Sequence, residues 1–231
     1  NLERVVYVTA EVAGKSPSDI VLGGSAAVES RLGTGMRAQW AGEGEWFITL
    51  SVFRDLGIAF GAAMIAIYAL LVLQTQSLMM PVIIMLAIPL TVIGVIPGFW
   101  LLNLFVSTSV GGFEDPVFFT ATAMIGMIAL GGIVIRNSIV LIEFIEQARQ
   151  EGIELNEALL QSGAVRLRPI VLTALTTALG VWPITMDPVF SGLAWSLIFG
   201  LLFSTCFTLV LVPVAYQAFR ANLDKRADSE G

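Results

Sequence analysis

Arg136 stands at the centre of the apolar run Ile128–Ile142 and is the residue of this chain best placed to do chemistry. The run is the middle of a longer apolar stretch, about 118–146, that can cross a membrane. A charge at the middle of such a helix costs roughly 2.5–3.5 kcal/mol on insertion scales. It is kept there when it faces protein or a wet cavity and meets a counter-charge. No other apolar stretch of the chain holds a carboxylate in its core, so the partner must come from outside these residues. A guanidinium stays protonated, and its chemistry is electrostatic: it favours an ionised carboxylate beside it and loses that attraction when the carboxylate takes a proton. The plainer alternative is a structural ion pair. Asn137, the next residue, is either a polar member of the same site or a helix–helix packing contact.

Other chemistries find little support. The chain has no His and a single Cys, Cys206, which rules out disulfides within it and leaves no zinc-type ligand set. Without His, and with no Asp inside an apolar segment, neither a Ser–His pair nor a catalytic Asp pair for an intramembrane protease can be assembled. No enzyme activity and no cofactor are expected. Gly14-Lys15-Ser16 mimics the end of a phosphate-binding loop, but Thr9 stands where the earlier glycine is required. Met64, Met79, Met80, Met85, Met124 and Met127 suggest a metal relay at first sight; Met is equally a gap-filler of apolar helices. The net charge of −6 identifies no partner, and nothing points to nucleic acid.

The surrounding elements must hold Arg136 in a bilayer. Of 231 residues 56% are hydrophobic and 13% charged, about half the charge of a soluble domain. Five segments can span the hydrocarbon: about 51–74, 81–102, 118–146, 169–187 and 193–219. Arg149, Arg166 and Arg168 lie between the third and fourth, and Arg220, Lys225 and Arg226 in the tail 220–231, which places both on the cytoplasmic side. Alternation puts residues 1–50, Glu114–Asp115 and Asp187 outside. Arg166 and Arg168 could be simple positive-inside anchors. Thr173, Thr176 and Thr177 could bond to their own helix backbone. Gly126, Gly131 and Gly132 read as close-packing sites rather than hinges. Residues 153–165 have the spacing of a short helix on the inner membrane face.

The first 50 residues are of another kind. Val5–Val12 alternates and is rich in Val, as a strand is. Ser16 followed by Pro17 predicts a helix start. The helix would run to about Leu32 and stop at Gly33-Thr34-Gly35, with a second strand at Met36–Trp40. Such a strand–helix–strand piece is too small to fold alone, so the chain is expected to begin within a larger extramembrane α+β domain.

At this point a family comes into view. Gly131-Gly132-Ile133-Val134-Ile135-Arg136-Asn137-Ser138 through Glu143-Phe144 resembles the tenth span of resistance-nodulation-division (RND) efflux transporters of the hydrophobe/amphiphile exporter type. Arg166-Leu167-Arg168-Pro169 through Thr173 resembles the start of the eleventh, Phe199–Thr205 with Val212-Pro213-Val214 the twelfth, and Ile88-Pro89-Leu90 with Ile93-Gly94 the ninth. Residues 1–50 resemble the end of the second periplasmic porter region. The resemblance implies a proton-driven antiporter of the bacterial inner membrane, of which spans 8 to 12 of 12 are present. It further implies a homotrimer, completed by the remaining half of the same transporter and working with a periplasmic adaptor and an outer-membrane channel on small molecules. In that family an Asp pair on the fourth span exchanges protons against a basic residue of the tenth. Arg136 matches that residue, where many members carry Lys; Asn137 matches its polar neighbour, and Thr173 and Arg166 match a threonine and an arginine of the same relay. A non-transporting membrane scaffold, or an RND-type auxiliary of lipid or protein export, is the alternative; proton-gradient-dependent activity separates the first from a pump.

Overall fold

The computed structural model describes residues 4–10, 12, 14–40, 45–105, 109–110, 112–114, 116–187 and 189–230. Its elements in order are α1 (Pro17–Glu29), α2 (Glu45–Thr75), α3 (Met80–Met85), α4 (Ala87–Phe105), strands β1 (Ser109–Val110) and β2 (Phe113–Glu114), α5 (Ala121–Gln150), α6 (Leu155–Val181), a 3-10 turn (Trp182–Met186) and α7 (Ser191–Glu230). Among the described residues, five segments are long and apolar enough to cross a membrane: Trp46–Thr75, Met80–Phe105, Ala121–Gln150, Leu155–Met186 and Ser191–Phe219. The five-span reading therefore holds.

Proline sets several of the boundaries. The second span is split into α3 and α4 because Pro89 has no N–H for the Met85 carbonyl and its ring crowds that turn; α3 ends at Met85. Pro169 has the opposite outcome. Residues 153–165 do not form a separate surface helix: Leu155–Val181 is one helix that runs through Pro169. One missing bond to Val165 is outweighed by 26 other helical residues, and 27 residues rise about 40 Å, more than the roughly 30 Å of hydrocarbon. The tail likewise continues α7 to Glu230.

The N-terminal piece differs from the expected strand–helix–strand unit. Its helix is present, with Ser16 Oγ accepting from the Asp19 N–H at 3.1 Å and Pro17 in the first turn. It stops at Glu29, a turn early, and the chain turns at Gly35 with φ +94°. Among the described residues, 4–10 and 36–40 form no strand. Val6, Tyr7 and Val8 are 85–89% exposed, so no neighbouring strand supplies the ladder that a strand needs. Residue 11, inside the expected first strand, lies outside the described residues, as does Asp115 of the loop between the second and third spans. That loop carries a small antiparallel hairpin, Ser109 facing Glu114 and Val110 facing Phe113. Asn103 closes it, donating to the Val117 carbonyl at 3.0 Å and accepting from the Val117 N–H at 2.8 Å.

The core is the seam where α7 meets α4 and α5. Gly94 and Gly98 of α4 lie so close to α7 that an added Cβ would come within 2.6 Å of Phe203 Cβ and 2.5 Å of Phe199 Cβ. Gly126 of α5 is pressed against Ser196 and the Leu193 carbonyl, and Gly200 of α7 against Leu130 and Val95. Lipid is as apolar as Leu, so such close backbone approach, rather than water exclusion, is what holds spans together.

Candidate functional site: the uncovered stripe of α5

Gly126, Leu130, Val134, Ile135, Ser138 and Leu141 make one face of α5, and all are buried. Ser138 bonds back to the Val134 carbonyl at 3.0 Å and asks nothing of its surroundings. That packing fixes the rotation of α5 about its axis. The opposite stripe, Ile125, Gly132 and Arg136, recurs at helical spacing and is exposed; Glu143, further along the same line, is exposed too but is met by Gln74 of α2. Arg136 thus projects from mid-span into space that none of the other four spans fills. Among the described residues it makes no ion pair or hydrogen bond. Gly126 is a close-packing site, as expected, and Gly131 touches Phe60 of α2; Gly132 corrects the expectation, because nothing lies within 4 Å of its would-be Cβ. It belongs to the bare stripe, one turn from Arg136.

Asn137 is half-buried and makes no hydrogen bond among the described residues. Thr173 is exposed, and its hydroxyl donates to the Pro169 carbonyl at 2.7 Å; Thr176 back-bonds in the same way to Leu172 at 2.9 Å. Arg166 is half-buried, with its guanidinium carbon 5.2 Å from the centroid of the Phe144 ring of α5. Its Nε is buried with no acceptor. An orphaned buried N–H costs about 1–3 kcal/mol, and a desolvated cation–π contact returns about 0.5–2 kcal/mol. The two nearly cancel, so the placement gains clearly only when the rest of the guanidinium finds a partner. Arg168, two residues on, is exposed. The structure therefore brings Arg166 onto α5 near that helix's C-terminal end, while among the described residues Arg136, Asn137 and Thr173 make no hydrogen bond or ion pair to another helix.

Two features escaped the sequence reading. Gly94 and Gly98 form a G-x-x-x-G pair, a visible signal of close helix approach. A polar group also joins α2 and α5 near their C-terminal ends to α7: Gln74 donates to Glu143 at 2.8 Å and Tyr216 to Glu146 at 3.3 Å, beside a cavity of ≈ 120 Å³ lined in part by Leu71, Met80 and Ile139. No periodicity announces this group; its members are 69 and 70 residues apart in pairs.

Comparison with known proteins gives this geometry a context. The chain is 31% identical to the swarming motility protein SwrC of Bacillus subtilis, over 96% of this chain and 21% of that protein. It is 29% identical to the cobalt-zinc-cadmium resistance protein CzcA of Cupriavidus metallidurans, over 94% and 20%. It is 32% identical to the multidrug resistance protein MdtC of Erwinia tasmaniensis, over 67% and 14%. The crystal structure of a heavy metal efflux pump superposes with a TM-score of 0.71 at 23% identity, covering 90% of this chain and 20% of that one, a likeness of fold. The chain spans about a fifth of the length of the relatives that it matches along nearly its whole length. Residues 1–220 match the AcrB/AcrD/AcrF family, and the chain belongs to that family of RND efflux transporters.

Proposed function

We propose that the chain forms spans 8 to 12 of a proton-driven antiporter that exports small hydrophobic or amphiphilic molecules, and that Arg136 couples proton binding to the conformational cycle. The observation that carries the reading is the bare stripe of α5. A charge at mid-span faces a surface that the chain's own helices leave open, while the far side of the same helix is packed through glycine. A carboxylate-bearing helix from the rest of the transporter is the counterpart this surface calls for. With the carboxylate ionised, attraction to Arg136 favours one packing of the facing helices; with it protonated, the attraction weakens and another packing is favoured. Two charge states of one site then become two arrangements of the bundle. Thr173 and Arg166 join the same relay on α6, and Asn137 beside Arg136 supplies a further polar contact.

The assembled pump is a homotrimer in the bacterial inner membrane, joined to a periplasmic adaptor and an outer-membrane channel. Residues 1–50 lie in the periplasm, the 146–168 segment and C-terminus in the cytoplasm. The excess of Arg and Lys at 149–168 and 220–226 over the other loops supports this orientation. In a Cys206→Ser background, an impermeant thiol reagent added outside should label a Cys placed at Glu114 and spare one at Glu151. The reverse pattern would overturn the orientation.

Relatives named for cobalt, zinc and cadmium resistance favour a second reading, export of divalent cations. Proteoliposomes of the full-length transporter under an imposed proton gradient separate the two. The first reading expects gradient-dependent movement of an amphiphilic dye and none of zinc or cobalt. Metal movement alone would establish the second, and no gradient-dependent flux of either would leave a scaffold.

A further inference from the structure

We propose that Phe144 is a positioning residue for Arg166: its ring holds the guanidinium plane against α5 and leaves the N–H edge free for an acidic partner from outside this chain. The inference rests on the relay reading of Arg166 given above. The guanidinium carbon lies 5.2 Å from the ring centroid, and Nε is enclosed without an acceptor. Among the described residues Arg166 makes no hydrogen bond or ion pair. A cationic anchor at a membrane edge extends its stem and carries its charge to water. Exposed Arg168 is free to do so; half-buried Arg166 turns inward onto a ring instead.

An aromatic face suits this task. It attracts a cation through its quadrupole and accepts none of the N–H donors in the ordinary way, so the donors of the two terminal nitrogens remain for a carboxylate while Nε stays enclosed. A carboxylate in place of the ring would take two donors and neutralise the charge; an aliphatic side chain would let the long stem swing. Phe144 also lies on the helix that carries Arg136, eight residues on and about 12 Å along the axis. A shift of α5 that moves Arg136 therefore moves the ring, and the ring takes Arg166 of α6 with it. Nothing in the motif itself marks this Phe, because one Phe in an apolar helix is ordinary packing; the link appears only when α5 and α6 are placed together.

The test uses the full-length transporter in proteoliposomes, an imposed proton gradient and ethidium as the probe, with rates normalised to inserted protein. Phe144→Leu keeps an apolar side chain, somewhat smaller, and removes the π face. Its maximal rate should fall roughly 3- to 20-fold, as loss of one desolvated cation–π contact would give, with KM for ethidium unchanged. Phe144→Tyr and Phe144→Trp keep the face and should restore most of the rate. Phe144→Met repeats the Leu comparison with a flexible side chain. If Phe144→Leu ran at the parental rate while Arg166→Leu was inactive, the positioning role would be wrong and the relay would stand. Equal loss in the Leu, Met, Tyr and Trp variants would make Phe144 a packing residue only and overturn the inference. If Arg166→Leu itself transported normally, the relay reading of Arg166 would fall, and this inference with it.

Discussion

The second span and the first have the same mean hydropathy, 2.5, and opposite packing: 44% of the apolar stretch of Met80–Phe105 is buried in the bundle, against 6% of Trp46–Thr75. Apolarity therefore does not decide which helix joins the core. Glycine does. Gly94 and Gly98 let α4 approach α7 to backbone contact, whereas Gly61 of α2 and Gly163 of α6 have open space around them. In water, both helices would be driven inward alike; in lipid, only a surface that fits closely gains by association. The two faces of α5 repeat the contrast within one helix. Gly126 is clamped by α7, whereas a Cβ added at Gly132, on the Arg136 stripe, would meet no neighbour within 4 Å among the described residues.

Filling the seam should break the contrast most strongly. Gly98→Ala places a Cβ against Phe199 close to the backbone, where little can yield, and should lower stability by about 1–3 kcal/mol. Thermal unfolding of the detergent-solubilised protein checks it. The same change at Gly163 meets no atom and should leave stability level or raise it by up to about 1 kcal/mol. Similar losses at both positions would mean that close approach does not organise the bundle.

Gly132→Leu sharpens the contrast on α5. The isolated chain should tolerate it, because the site is open. The assembled transporter should lose most of its activity, because the covering helix would meet the new side chain. Normal transport by Gly132→Leu would show that nothing packs on this stripe. Thr173→Ala has a smaller expected effect. Among the described residues the hydroxyl bonds only to the Pro169 carbonyl, so export should slow roughly 2- to 10-fold with insertion unchanged.

Much of this arrangement was legible in the sequence. The five spans follow from runs of apolar residues, and Ser16-Pro17 correctly starts α1. What failed were features decided away from the local sequence. Val5–Val8 has strand composition, but among the described residues it pairs with no strand, and composition cannot provide a partner. Pro89 and Pro169 look alike in sequence; one ends a short helix and the other is carried through a long one. Arg136 was evident as an intramembrane charge, yet the direction in which it points depends on Gly126 and Gly200 locking the opposite face, which needs α7 in place. The contact between Arg166 and Phe144 joins residues 22 positions apart on two helices and has no sequence signature.

The central claim is that the charge on this stripe couples protons to transport. Its most direct test is Arg136→Ala in the full-length transporter, with dye export and proton flux measured in the same proteoliposomes and insertion and trimer assembly verified. Both fluxes should fall to background, and Arg136→Lys, which keeps the charge, should retain appreciable transport. Parental rates of export and proton flux for Arg136→Ala would make Arg136 a structural residue and contradict the account.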